Sequence, residues 1–210
     1  MLPQQRGQSI SLRSLRRSVR YLKVFLVLFL KKENGSIRHN QQIIYLWGVF
    51  MKRIGLISDT HGTFDDRVRH FLDPVEEIWH AGDIGSLELA DEIAAFRPLT
   101  AVYGNVDDHR VRIVYPKFQH FVCEGLRVVM THIGGYPGRY VPEARGWIER
   151  VEPGLFISGH SHILKVMNDS KYRLLHMNPG AAGYGYQGVR TGLRFTVADG
   201  RVTELEVGEF

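Results

Sequence analysis

Five short polar blocks, each set directly behind an apolar run, constrain this chain more than any other feature. Asp59-Thr60-His61 follows Ile54–Ser58, and Gly82-Asp83 follows the run that ends at Trp79-His80. Gly104-Asn105-Val106-Asp107 follows Leu99–Tyr103, Thr131-His132 closes Leu126–Met130, and Gly159-His160-Ser161-His162 follows Leu155–Ser158. A short apolar run stopped by glycine and polar residues reads as a buried strand that ends at a loop. Open α/β sheets carry their sites at the C-terminal ends of strands. The fold must therefore bring five strand ends together. Gly62, Gly82, Gly104 and Gly159 stand where such loops must turn tightly.

The elements around these blocks follow from periodicity. In the first half, strands at Ile54–Ile57, Glu77–Trp79 and Leu99–Tyr103 alternate with helices at Arg67–Leu72, stopped by Asp73-Pro74, and Leu87–Phe96, with Ser86 as N-cap. Such βαβ units predict a largely parallel sheet with helices on its faces. The second half is richer in hairpins: Phe118–Cys123 with Leu126–Thr131, Leu164–Asn168 with Tyr172–Met177, and Arg190–Val197 with Arg201–Val207. A helix over Pro142–Val151, with proline in its first turn, and a strand over Leu155–Ser158 complete the set. Two packed sheets with helices outside are expected, in one α/β domain over residues 51–210.

Charge separates that domain from what precedes it. Residues 1–50 hold nine Lys or Arg against one acid, Glu33, whereas residues 51–210 hold 18 Lys or Arg against 21 Asp or Glu. The pI near 9.4 thus describes the first segment, and the body is mildly acidic. An acidic body without a basic stripe argues against long nucleic acid as partner. The apolar run Val24–Leu30 is too short for a bilayer span, which needs about 20 residues. Lys31 and Lys32 stand where a signal peptide would need small residues. Residues 1–50 are expected to be a disordered or non-native basic extension, with Met51 the natural start. One cysteine, Cys123, excludes a disulfide framework and a cysteine-based zinc site. With no convincing signal, a cytoplasmic protein is expected.

Taken singly, each block has an ordinary reading. Asp-Thr-His can cap a helix, Gly-Asp and Gly-Asn make turns, and Thr-His can be a satisfied strand-end histidine. Their joint order is different. Residues two apart in a loop can converge on one point, and imidazole with carboxylate suits Mn²⁺, Fe or Zn²⁺. The five blocks together resemble the signature of the calcineurin-like metallophosphoesterases. The compact length and Asn178-Pro179-Gly180 resemble the small phosphodiesterase subfamily that also contains a retromer subunit.

The resemblance implies a four-layer αββα sandwich and two divalent metal ions. One ion would be held by Asp59, His61, Asp83 and His162, the other by Asp83, Asn105, His132 and His160, with Asp83 bridging. Mn²⁺ is the family's common metal, with Fe, Zn²⁺ or Ni²⁺ as substitutes. The implied activity is hydrolysis of a small phosphoester by a metal-bridging hydroxide, diesters ahead of monoesters. A protein-binding scaffold with a vestigial metal site is the alternative, and seven intact ligand positions speak against it. Asp107 is expected to orient a ligand by hydrogen bonding. Val106 departs from the wider superfamily, in which histidine follows the asparagine and assists the leaving group. His109 is a candidate replacement acid. Tyr136 and Arg139, in the glycine-rich loop after His132, are candidate substrate residues. Tyr184 and Tyr186 in a second such loop read equally well as surface residues, and His80 as a packing or outer-sphere group. His70, His120 and His176 read as structural and Cys123 as a buried strand residue. A homo-oligomer is compatible with all of this.

Overall fold

The computed structural model describes residues 51–184 and 188–210, together with the backbone of 29–33 and 36–40. The chain divides into two units, Met1–Gly48 and Val49–Phe210. Within the first, β1 (Phe29–Glu33) and β2 (Ser36–Asn40) pair antiparallel, with Phe29 opposite Asn40. The expectation for the rest of residues 1–50, and that for Tyr186, lie outside the described residues.

The second unit contains two five-stranded mixed sheets. In chain order its elements are β3 (Met51–Ile57), α1 (Asp66–Leu72), β4 (Glu77–His80), α2 (Leu87–Phe96), β5 (Leu99–Ala101) and α3 (His109–Val114). Then come β6 (Phe118–Cys123), β7 (Leu126–Thr131), α4 (Pro142–Val151), β8 (Leu155–Ile157), β9 (Leu164–Asp169), β10 (Leu174–Pro179), β11 (Thr191–Ala198) and β12 (Arg201–Glu209). One sheet runs β12–β11–β3–β4–β5, with β3, β4 and β5 parallel. The other runs β6–β7–β8–β10–β9, with β7, β8 and β10 parallel. The second sheet thus has a parallel centre between two antiparallel edges, whereas in the first the parallel strands occupy one side, with β5 at the edge, and β11 and β12 run antiparallel on the other.

Strand alternation sorts the side chains into layers. Ile54 and Leu56 of β3, Trp79 of β4 and Phe195 of β11 meet Val128 and Met130 of β7 and Leu155 and Ile157 of β8 in one fully buried core between the sheets. Trp79 sits edge-on to Phe121 and Phe195, at 5.0 and 5.7 Å. The residues between, Ile57 and Ile78, face the other way onto Val68 and Leu72 of α1 and Ala90 and Ile93 of α2. On the far sheet, Val129 and Phe156 face outward onto Ala144 and Ile148 of α4. Helix, sheet, sheet and helix make the expected αββα sandwich.

Local chemistry sets the element ends. Asp65, Ser86 and Asp108 each accept a backbone N–H three residues on, capping α1, α2 and α3. The short α3 was not legible from periodicity, because six residues hold under two turns. Strand β5 stops at Ala101, since the Tyr103 N–H is taken by Pro116 O. Strand β10 begins at Leu174 and not Tyr172. The Asp169 carboxylate accepts the N–H groups of Lys171 and Tyr172 and holds the turn. Cys123 is buried, and burial pushes its thiol up to about 11. No described helix is long and apolar enough to cross a membrane.

His176 on β10 is fully buried against Phe156 and Tyr140, and burial brings its pKa down to about 4 from 6.5. Its Nδ1 has no hydrogen-bond partner among the described residues. A folded pKa below the unfolded value means that the folded state favours the neutral imidazole of His176. That contribution is whole above pH 6.5 and is lost as pH falls towards 4, and it amounts to about 3 kcal/mol. Urea titrations between pH 7 and 4 should show stability falling through this window. His176→Phe should flatten the fall, leaving the part due to His80, which burial also brings down to about 4.

Candidate metal centre

All seven candidate ligands sit in loops that leave the C-terminal ends of parallel strands. Asp59 and His61 follow β3, Asp83 follows β4, Asn105 follows β5, His132 follows β7, and His160 and His162 follow β8. Five of them, Asp59, His61, Asp83, His160 and His162, have φ between 45° and 67°. Left-handed backbone costs an L-residue roughly 1–3 kcal/mol unless its surroundings over-determine it. Asp and His are among the few side chains enriched there.

Two glycines make the close approach of these loops feasible. A Cβ on Gly104 would lie 2.0 Å from Asp83 Oδ1, and one on Gly159 would lie 2.1 Å from Ser58 Oγ. No side chain fits at either position.

The donor atoms fall into two groups. One ligand atom each from Asp59, His61 and His162 lie within 4.8 Å of one another, as do those from Asp83, His132 and His160. In the first group, Asp59 Oδ1 is 3.0 Å from His162 Nε2 and 3.9 Å from His61 Nε2, and the two Nε2 atoms are 3.2 Å apart. In the second, His132 Nε2 is 3.2 Å from Asp83 Oδ2 and 3.1 Å from Asn105 Oδ1. The groups adjoin, since His132 Nε2 is also 4.0 Å from Asp59 Oδ1. Asn105 and His160 are exposed, while Asp59, Asp83 and His132 are buried. The pocket thus opens to solvent on one side.

Second partners aim the ligand atoms. Asp59 Oδ2 accepts from the Ser58 hydroxyl at 2.6 Å and the His160 N–H at 3.1 Å, so that Oδ1 is the oxygen that faces His162 Nε2. His132 Nδ1 faces Ala81 O at 2.8 Å. A carbonyl only accepts, so Nδ1 carries the proton and Nε2 is the atom presented to the pocket. Asp83 Oδ1 accepts the Val106 N–H at 3.0 Å, again leaving the other oxygen for the pocket.

The electrostatics show which charge the cluster favours. Burial raises the Asp59 carboxyl above its ordinary value, although His132, Ser58 and His162 oppose the rise. Burial also acts to raise Asp83, but hydrogen bonds from His132 and the Val106 N–H outweigh it and hold that carboxyl low. For His132, burial opposes charge, and the hydrogen bond to Asp83 together with the Asp59 carboxylate outweighs it and raises the pKa. Two buried carboxylates and convergent imidazole nitrogens form a pocket that favours a cation. A borderline divalent ion suits carboxylate, amide oxygen and imidazole donors together, so the residues fit the implied metals.

The remaining expectations sort clearly. Asp107 is buried, and its carboxylate accepts the N–H of Gly85 at 2.9 Å and of Gly104 at 2.7 Å. It ties the Asp83 loop to the Asn105 loop through backbone, and no described hydrogen bond or ion pair joins its carboxylate to a ligand side chain. His109 is exposed as the first residue of α3, and no described hydrogen bond or ion pair joins it to the ligands. Tyr136 lines a cavity beside His160, whereas Arg139 is exposed and does not line it. Tyr184 is 63% exposed and donates to Asp65. His80 lies wholly beneath the site. Its Nδ1 accepts the Gly82 N–H at 3.1 Å and its Nε2 meets the Thr60 hydroxyl at 2.9 Å. Sequence reasoning missed Ser58 and Thr60 as braces. It also missed Lys165 on β9, whose ammonium lies 3.9 Å from the Tyr136 ring centre. Asn178, noted only as part of a motif, binds Gly159 O and Ser161 Oγ and so holds the His160–His162 loop.

A sandwich whose parallel strands deliver carboxylate, amide and imidazole donors to one rim defines a metallohydrolase class of site. The model of the calcineurin-like phosphoesterase superfamily domain matches residues 51–200, and the chain belongs to that family. A probable metallophosphoesterase of Methanothermobacter thermautotrophicus is 31% identical over 135 residues, covering 61% of this chain and 76% of that protein. The fold is shared with vacuolar protein sorting 29 of Cryptosporidium parvum, at TM-score 0.60 and 18% identity, covering 77% of this chain and 98% of that one. It is also shared with an archaeal phosphodiesterase, at TM-score 0.53 and 21% identity, covering 70% and 99%.

Asp107→Ala should leave the Gly85 and Gly104 N–H groups unpaired and loosen both loops. Mn²⁺ affinity should fall by about 10- to 100-fold, as read by electron paramagnetic resonance titration, with circular dichroism confirming a retained fold. An unchanged affinity would show that the loops hold their places without this carboxylate.

Proposed function

We propose that this protein is a dinuclear metal-dependent phosphodiesterase acting on a small phosphoester, with Mn²⁺ as its working metal. The observation that carries the reading is the convergence of two adjoining donor groups, Asp59, His61 and His162 and then Asp83, His132 and His160, on one open rim. Asn105 Oδ1 joins the second group, and Asp83 is assigned the bridging place. Ions held there would lower the pKa of bound water towards neutrality and offset charge developing on the phosphoryl oxygens.

The chain's own residues prepare that chemistry. Ala81 O holds the His132 proton on Nδ1, so Nε2 is the atom aimed at the metal site. Ser58 and the His160 N–H hold Asp59 in a single orientation. No proton donor stands where Val106 does, and that side chain is 56% exposed. With His109 on α3 and Asp107 committed as a brace, esters with good leaving groups are the suitable substrates. The engagement of two cations near the rim favours a diester. Arg112 donates to Asp107 O and Asn105 O, and Lys117 pairs with Glu143, so neither is spare for the second charge of a monoester. A mildly acidic body and a single cysteine accord with a small substrate in a cytoplasmic setting.

The scaffold reading draws support only from the shared fold with vacuolar protein sorting 29, at 18% identity. A complete donor set, strained into place, supports catalysis instead. Metal-stripped protein should hydrolyse bis(p-nitrophenyl) phosphate only once Mn²⁺ is restored. It should turn over p-nitrophenyl phosphate more slowly, and Asp83→Asn should lose both activities. Folded protein that turns over neither ester with Mn²⁺, Fe²⁺, Zn²⁺ or Ni²⁺ would overturn the enzyme reading. A monoester preference would overturn the diester assignment.

A further inference from the structure

Beside the metal centre lies a cavity of about 270 Å³, reached across His160. Its walls come from three separate parts of the chain: Ile133 and Tyr136 from the loop after β7, Ile163 from the loop before β9, and Lys165 and His176 from β9 and β10. The outer lip is apolar and solvent-exposed, with Ile133 at 40%, Tyr136 at 37% and Ile163 at 62% exposure. Single exposed apolar residues carry no message, but three that line one concavity next to a candidate reaction centre do. A volume just under the roughly 300–1,000 Å³ of pockets that take a whole drug-sized ligand suits one ring-sized group.

The polar groups are few and placed. Lys165 Nζ lies 3.9 Å from the centre of the Tyr136 ring. A lysine on the face of an aromatic ring presents its remaining N–H groups beside a flat surface. His176 forms part of the floor, and its Nδ1 has no hydrogen-bond partner among the described residues. The loop that carries Tyr136 is held by backbone, Arg139 N–H to Tyr136 O at 2.7 Å and Val141 N–H to Gly134 O at 3.1 Å. The Ser158 hydroxyl anchors the same loop on Gly135 O. The aromatic wall is therefore preformed.

We propose that this cavity is a subsite for one ester arm of the substrate, and that the arm it takes is an aromatic ring, as in aryl and nucleoside diesters. The inference rests on the phosphodiesterase reading and adds the substrate class to it. A phosphoryl group on the ligand rim would extend one arm past His160. There a ring would meet Tyr136, Ile133 and Ile163, beside the Lys165 ammonium. A short alkyl arm would leave the walls wet and gain nothing from them.

Two diesters with the same leaving group separate the arm from the chemistry: phenyl p-nitrophenyl phosphate and methyl p-nitrophenyl phosphate. With Mn²⁺, kcat/KM should favour the phenyl ester by about tenfold or more, the effect expected from burying one ring. The preference should lie mainly in KM. Tyr136→Ala and Ile163→Asp should each bring the ratio close to one, and Tyr136→Phe should keep it. Ile163 is mostly exposed, so its replacement leaves folding intact. Calorimetry supplies a second readout, in which phenyl phosphate should bind the wild type about tenfold more tightly than methyl phosphate and the Ile163→Asp variant equally weakly. Both esters turned over with no phenyl preference, or a preference that survives Tyr136→Ala and Ile163→Asp, would overturn the subsite alone. No turnover of either ester would overturn the phosphodiesterase reading, and the subsite with it.

Discussion

Two hydrogen bonds that cross from one sheet to the other hold the working end of this molecule together. The His132 Nδ1–H reaches from the end of β7 to Ala81 O behind β4, and the His160 N–H reaches from the end of β8 to the Asp59 carboxylate behind β3. The apolar core would pack the sheets face to face without them. What they set is the offset of one sheet's strand ends against the other's. A donor set drawn from both sheets is only as well placed as that offset. Each bond also uses up one face of a ligand, so imidazole and carboxylate are oriented by the same contacts that align the layers.

Much of this was legible in the sequence, and for identifiable reasons. The apolar runs before Asp59, His132 and His160 mark strands because a strand buried on both faces leaves a continuous run, as in Ile54–Ile57, Val128–Thr131 and Leu155–Ile157. The ligand loops were legible because glycine, aspartate and histidine tolerate the left-handed backbone such loops require. Helix α3 was hidden, since a six-residue helix has too little periodicity to stand out. Lys165 was hidden for another reason. It reaches the cavity beside His160 through the antiparallel pairing of β9 with β10, where it lies opposite Asn178, and nothing local to its sequence encodes that register.

Asp107 shows how a role can be anticipated in kind and missed in detail. A carboxylate two residues beyond a ligand is naturally read as a hydrogen-bond partner of that ligand. Here it binds two backbone amides, Gly85 and Gly104, and acts on the position of whole loops. His80 is similar. A buried neutral histidine that accepts from Gly82 and meets Thr60 is part of the floor under the pocket, and histidine's place in the metal chemistry belongs to its neighbours. Composition cannot distinguish a histidine that binds from one that braces. Its second nitrogen decides.

The left-handed backbone at Asp59, His61, Asp83, His160 and His162 has a consequence for how small such a protein can be. At roughly 1–3 kcal/mol each, the five conformations together weigh against a net stability that for most domains is only about 5–15 kcal/mol. A chain that kept the ligands but shed the helical layers would lack the burial needed to hold them in that state. The lower bound on the length of this fold is thus set by the tension in its loops, and α1, α2 and α4, which supply no ligand, are the ballast that lets those loops stay bent.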